Sequence, residues 1–270
     1  PRSTLFPYTT LFRSRSHALL ATESRAKMLR QWSEYLYWGG LPESVNLSVK
    51  RDYLTSTLQK IYLGDIVSRN KISNPNLLRL LLKNLAESVR QPVSYNRLSN
   101  VLSSVSGKIT MPTVSKYIEY SEDAWLLLRL RNVSAAFADK ETSCKYYFVD
   151  NGVLNLFLLD GDTALLENLT ALTLFRKYGH DKDNERVFFY NDKVEVDFYV
   201  PEDKLAIQTS FSISKAGSTR EREVDALNKI PKVLACDRRI ILTYEESDTI
   251  TDDFGRSRSE ERRVGKECRS

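Results

Sequence analysis

An α+β chain built from several small units is predicted: a helical first third, a helix–turn–helix with a two-stranded ribbon, and a mixed sheet flanked by helices. Three observations predict this. Apolar residues recur at helical spacing up to residue 89, with Met28, Leu29, Trp32, Tyr35 and Leu36 as the first set. Short apolar runs bounded by polar turns replace them from residue 124 onward. A hairpin-like pair of runs is then followed by strand, helix and strand, the order of a mixed sheet with covered faces.

The elements follow in order. Residues 26–37 form the first helix, and Gly39-Gly40-Leu41-Pro42 stops it. Residues 51–67 place Leu54, Leu58, Ile61, Tyr62 and Ile66 on one face of a second helix. Asn74-Pro75 is a helix start with proline at the first helical position, and the leucine-rich residues 77–89 continue it. Residues 94–102 read as a short helix, 104–108 as a turn and 110–121 as another helix. Residues 124–130 and 144–149 then read as two strands separated by a polar stretch. Helix, turn, helix and ribbon is the order of a winged helix, which places that unit at residues 91–158. Farther on, residues 165–178 form an amphipathic helix. Strands follow at 186–190 and 194–200, joined by Asn191-Asp192-Lys193, and at 204–211; a helix at 219–229 precedes the last strand, 239–244.

The two ends carry a different signal. Residues 4–14 and 258–268 read through the genetic code as reverse complements, codon for codon: Arg258 (AGA) against Ser14 (TCT), Val264 (GTA) against Tyr8 (TAC), Cys268 (TGT) against Thr4 (ACA). Selection on protein does not produce such a run, and the DNA it spells resembles a short-read library adapter. Residues 1–16 and 256–270 are therefore set aside from fold reasoning and expected not to pack against the rest.

This changes the charge reading. The chain carries +5, of which residues 1–16 contribute +3 and residues 256–270 another +3, so the stretch between them carries −1. Its net charge gives no reason to expect a polyanionic partner. The remaining cysteines, Cys144 and Cys236, sit in apolar strand-like runs without zinc spacing, and His17 and His180 lie near no Cys pair. A reducing, cytoplasmic setting is expected. No apolar run reaches the length of a membrane span.

Three groups of residues carry possible chemistry. Between the two set-aside ends the only Gly-Lys pair, Gly107-Lys108, precedes Ile109, and Leu102 stands where a phosphate loop needs its first glycine. Without backbone N–H groups to cradle phosphates, the chain is expected not to bind ATP tightly. The alternating Val194-Glu-Val-Asp-Phe198 places Asp197 on a strand beside the one bearing Gln208 and Ser210. Metal-dependent nucleases hold an Asp there, then an acid and a Lys two apart on the neighbouring strand, to bind Mg²⁺ and orient water. Gln208 stands for the acid, Ser210 for the Lys, and Glu167 supplies a further acid from the preceding helix. Period-two alternation predicts that Asp197, Gln208 and Ser210 converge with Glu167 as a vestigial site that holds no metal and does not catalyse. On the helix at 110–121, Thr113, Ser115 and Lys116 face outward with Glu119. Residues 91–150 hold seven basic and six acidic side chains, too balanced to choose DNA over a protein contact.

Several spaced motifs together resemble one family. Trp38-Gly-Gly-Leu-Pro-Glu43, Gly64-Asp-Ile-Val-Ser-Arg69, Lys145-Tyr-Tyr-Phe-Val-Asp-Asn-Gly152, Glu167-Asn168 and Glu195-Val-Asp-Phe198 are similar to motifs of prokaryotic AAA-type ATP-binding proteins with a C-terminal domain of unknown function. The resemblance implies an ATPase core that this chain lacks, followed by helical lid segments (residues 17–90), a winged helix (91–158) and a restriction-endonuclease-like domain (159–255). ATP and Mg²⁺ are then cofactors of the parent protein and not of this chain. The resemblance also makes Gly39, Gly40 and Pro42 similar to a Gly-x-Pro element that approaches adenine in the parent, and it makes the missing core the first partner. The family often carries acid-x-Lys where Gln208 and Ser210 stand. The expected function is that of a regulatory and interaction region without catalysis of its own. A Mg²⁺-dependent nuclease using Glu167 and Asp197, or a DNA-binding or protein-binding winged helix, is the alternative; a membrane partner is not expected.

Overall fold

The computed structural model describes residues 22–179, 186–212, 217–244, 249–251 and 257–263. Its helical part begins with α1 (Thr22–Trp38). Gly39 ends α1 at φ +75°, in the left-handed region where glycine has no Cβ clash. A single 3₁₀ turn (Pro42–Ser44) leads to α2 (Lys50–Lys60). The expected single helix over residues 51–67 is instead α2 continued by a π-helical segment (Ile61–Ser68). Its wider turn shows in the Arg69 N–H donating to the Gly64 carbonyl, five residues back, at 3.3 Å. The segment turns Ile66 fully into the core, and the Tyr62 hydroxyl ties it to the Pro75 carbonyl. Helix α3 (Pro75–Glu87) starts as its sequence predicts, with the Asn74 side chain accepting from the Leu77 N–H at 3.1 Å.

Strand β1 (Val93–Ser94), α4 (Tyr95–Ser106), α5 (Met111–Asp123), β2 (Leu127–Leu130), α6 (Phe137–Thr142) and β3 (Ser143–Phe148) follow. The three strands make an antiparallel sheet with β3 in the centre. The first predicted strand starts later than expected. The α5 end turns through Trp125 at φ +53°, with Leu126 N–H donating to the Ser121 carbonyl at 2.9 Å and Trp125 N–H to Glu122 at 3.0 Å. That cap uses up residues 124–126 before the strand can start.

A short helix α7 (Asn151–Asn155) and α8 (Asp162–Tyr178) lead into the second sheet. Its strands are β4 (Phe188–Asn191), β5 (Glu195–Val200), β6 (Leu205–Thr209), β7 (Arg238–Thr243), β8 (Thr249–Thr251) and β9 (Ser257–Arg263), in the order β4-β5-β6-β7-β9-β8. Strands β4, β5 and β6 form an antiparallel meander, and α9 (Gly217–Lys229) crosses from β6 to its parallel neighbour β7. Among the described residues, nine α-helices and two sheets make up this α+β chain.

Strand β9 corrects one expectation. Residues 257–263 were expected not to pack, yet they pair in parallel with β7 from Arg239↔Ser259 to Thr243↔Arg263. A backbone ladder asks only for extended chain and free N–H and C=O groups along the β7 edge, so no side-chain complementarity is required. Residues 1–16, including Phe6 and Phe12, and Val264 lie outside the described residues.

One contiguous apolar cluster runs from Leu36 through the α3 leucines and Tyr147 to Phe198, Ile207 and Ile240. The helical part, the first sheet and one face of the second therefore share a core. The other face of the second sheet is covered separately, with Val196, Ala206 and Ile241 clustered with Leu227 and Ile230.

Candidate functional site

Three charged side chains meet inside the shared core. Period-two alternation on β3 sends Lys145 and Tyr147 to the face opposite Cys144 and Tyr146. Lys145 is fully buried, and its Nζ lies 3.1 Å from Glu167 Oε1 and 3.0 Å from Asp197 Oδ1. Helix α8 places Glu167 and β5 places Asp197, so three elements meet at one ammonium. The Tyr147 hydroxyl donates to Glu167 Oε1 at 3.0 Å. The N–H and the hydroxyl of Thr209 both donate to Asp197 Oδ2 at 2.8 Å. Outside this set, Arg90 reaches Glu167 Oε2 at 4.0 Å from a half-exposed position.

Two carboxylates face one buried ammonium, and the titration responds. Burial is the main force pushing the Glu167 carboxyl up to about 7, the Asp197 charge adds to it, and Lys145 opposes it. Burial alone would lower the Lys145 ammonium, but the charges of Glu167 and Asp197 outweigh it and hold the group above the usual lysine range.

Of the four residues read as a vestigial nuclease site, the structure joins three. Asp197 stands beside Gln208, one step beyond the Phe198↔Ile207 pair of the β5–β6 ladder. The Gln208 Oε1 accepts the Asp197 N–H at 3.1 Å. Glu167 completes the group through Lys145. Ser210 is engaged elsewhere, donating its hydroxyl to the Ser212 carbonyl at 3.2 Å and its N–H to Leu242 at 3.0 Å. The residue that sequence reasoning missed is Lys145. The amine was sought two positions after Gln208, whereas it comes from the other sheet. Its signal was a lysine within an otherwise apolar run, Cys144-Lys-Tyr-Tyr-Phe148.

Mg²⁺ takes near-octahedral oxygen ligation, and the Lys145 Nζ already stands between the two carboxylates. Among the described residues, no three His, Cys, Asp or Glu side chains group closely enough to hold a metal.

The glycines read as a possible lid contact lie in a second polar centre. Gly40 N–H donates to Asp150 Oδ2 at 2.8 Å, and the same carboxylate caps α7 through the Val153 N–H at 3.2 Å. A Cβ on Gly39 would stand 2.1 Å from Asp150 Oδ1, and one on Gly152 would stand 2.3 Å from the Trp38 carbonyl oxygen. Asn151 donates to the Leu36 and Leu165 carbonyls, both at 2.9 Å. Asn168 brackets β3, taking the Phe148 N–H at 2.7 Å and donating to the Phe148 carbonyl at 2.9 Å. The clamp ties the end of α1 to β3, α7 and α8, and Pro42 opens the 3₁₀ turn just beyond it. Burial raises the Asp150 carboxyl, against the N–H donors of Gly40, Val153 and Gly152.

On α5, Thr113 and Ser115 are half-buried and Lys116 is exposed. The Thr113 hydroxyl pairs with that of Thr110 at 3.0 Å, and Glu119 and Asp123 are exposed on the same helix. Lys116 is its sole cation.

No helix among the described residues is long and apolar enough to cross a membrane. The chain is similar to an uncharacterized protein of the archaeon Methanocaldococcus jannaschii, 30% identical over 235 residues that make up 84% of this chain and 52% of the relative. It is also similar to an uncharacterized protein of Haemophilus influenzae, 27% identical over 214 residues, 76% of this chain and 52% of the relative. The chain thus spans about half the length of the curated relatives it matches. No solved structure matches it. A family described as a domain of unknown function (DUF8612) matches residues 29–164, from α1 through the clamp to the start of α8, and the chain belongs to that family.

Proposed function

We propose that this chain is a regulatory and interaction region of a longer AAA-type ATP-binding protein, comprising lid-like helices, a winged helix at α4–α5 with β2–β3, and a restriction-endonuclease-like sheet without catalysis. The observation that carries the reading is Lys145. Its buried ammonium pairs with both Glu167 and Asp197 from within, where a nuclease would hold a hydrated metal. Relatives about twice as long as the matched region leave room for a nucleotide-binding core, and the chain itself has no phosphate loop. On α5, one exposed lysine beside two exposed acids favours a protein contact over a phosphate backbone.

The test has two arms. Purified chain incubated with duplex or single-stranded DNA and Mg²⁺ or Mn²⁺ should leave the DNA intact, and titration with ATP should show no saturable micromolar binding. Saturable binding of ATP would mean that the domain order has been misread.

One observation favours a second reading. Lys145 supplies beside Glu167 and Asp197 the amine that Ser210 lacks, which is the residue set of a metal-dependent nuclease drawn from different strands. Robust DNA cleavage, abolished in both Asp197→Ala and Lys145→Ala, would establish it and remove the first.

A further inference from the structure

A groove runs between α2–α3 and the loop joining α7 to α8, and it encloses about 1280 Å³. That exceeds the span of roughly 300–1,000 Å³ typical of small-ligand pockets. One wall is mostly cationic, although Glu87 also lies on it, 3.9 Å from Lys83. Arg79, Lys83 and Arg90 follow one another at helical spacing along α3 and past its end, and Arg51 joins them from α2. Arg51 and Arg79 have no carboxylate partner among the described residues. The opposite wall carries Asp160 and Asp162. A uniformly anionic polymer would therefore meet repulsion on one side, whereas a segment with opposite charges on its two edges would not. Each wall also offers an exposed leucine, Leu63 at 52% and Leu159 at 108% of full exposure.

A second, independent observation lies beside the lining residue Leu63, at a glycine that is not itself part of the lining. The π-helical segment contains Gly64, next to Leu63. Glycine weakens a helix relative to alanine, and π-helical turns are themselves uncommon and frequent at functional sites. Yet a Cβ on Gly64 would meet nothing within 4 Å. Nothing among the described residues requires the missing side chain, in contrast to Gly39 and Gly152, where the fold itself fills the space. A bare backbone beside an exposed leucine admits the close approach of another chain.

We propose that this groove docks an amphipathic helix with an acidic edge, carried by the part of the longer protein that the chain does not span. The helix lays its acidic edge along Arg79 and Lys83, its apolar face on Leu63 and Leu159, and its closest approach over Gly64. The length of chain available fits: the relatives carry about as much polypeptide again outside the matched region. All of the groove-lining residues fall within the family-matched residues 29–164. The inference rests on the reading of the chain as part of a longer protein.

The experiment compares backbone hydrogen exchange in the 270-residue chain and in the full-length gene product. Amides at residues 58–64, 76–90 and 156–164 should exchange about tenfold or more slowly in the longer protein. Arg79→Glu with Lys83→Glu, and separately Gly64→Gln, should restore fast exchange there. Gly64→Gln should leave the unfolding temperature of the 270-residue chain unchanged or raise it, which separates a docking role from a folding one. Equal exchange in the two proteins overturns the inference, as does protection that survives both variants, or a full-length product with no further polypeptide. ATP binding measured on the same full-length protein keeps the two readings apart. Binding without groove protection removes the docking alone, and groove protection without binding removes the ATPase assignment alone.

Discussion

The two buried polar centres solve the same problem by different means. The clamp around Asp150 is satisfied mainly by backbone N–H groups and by the neutral amides of Asn151 and Asn168. The cluster around Lys145 is satisfied by charge, with two carboxylates against one ammonium and Tyr147 and Thr209 as neutral donors. Neutral hydrogen bonds depend on shape, so the clamp should fail through sterics. A buried ion set depends on its charge balance, so the cluster should fail through charge and pH.

The largest effect should come from unbalancing the cluster. Lys145→Met keeps the length of the side chain and removes the ammonium, leaving two carboxylates buried without their counter-ion. A loss of about 3–5 kcal/mol is expected, read from urea unfolding. A loss below about 1 kcal/mol would erase the distinction between the centres. Adding Glu167→Gln and Asp197→Asn to Lys145→Met should recover part of that loss, because the imbalance would be gone.

The clamp comes next. Gly39→Ala demands a Cβ at φ +75° and 2.1 Å from Asp150 Oδ1. It should cost about 2–3 kcal/mol, the combined effect of an unfavourable backbone and displacement of a buried carboxylate. Asp150→Asn keeps the shape and should cost less, about 1–2 kcal/mol. If Asp150→Asn proves the worse of the two, the clamp works through charge after all.

The pH response should separate the centres more finely. In the folded chain Glu167 is pushed up to about 7 from an ordinary 4.5. Between those values the folded state holds a proton that the unfolded chain has released. The resulting stability is fully present below the ordinary carboxylate range and is lost as pH rises through about 7. The urea midpoint should therefore fall from pH 5 to pH 8, and Glu167→Gln should flatten the fall. A midpoint that rises over this interval in the native chain would contradict the electrostatics of the cluster. The smallest effect is expected at the surface. Lys83→Ala removes an exposed pair with Glu87 at 3.9 Å and should change stability by no more than about 0.5 kcal/mol.

The sequence alone determined whatever is local. The Asn74 cap, the leucine face of α3, the stop at Gly39 and the period-two run carrying Asp197 are written in residues a few places apart, because helix and strand geometry repeat over that distance. The neighbourhood of Asp197 and Gln208 was legible for the same reason, since a short connection between two alternating runs sets their register. Tertiary structure decided the rest. Lys145 meets Glu167 across 22 residues and Asp197 across 52, and Gly40 meets Asp150 across 110. No local period encodes which distant strand will supply a counter-ion. Gly39, Gly64 and Gly152 look alike in the sequence, yet packing leaves space for a side chain at only one of them. Strand β9 joined the sheet through its backbone, which every sequence without proline can offer. Where the information lies in repeat geometry the residues suffice. Where it lies in which surfaces meet, only the folded chain holds it, because contact in three dimensions follows from the burial of the whole apolar core and not from any one segment.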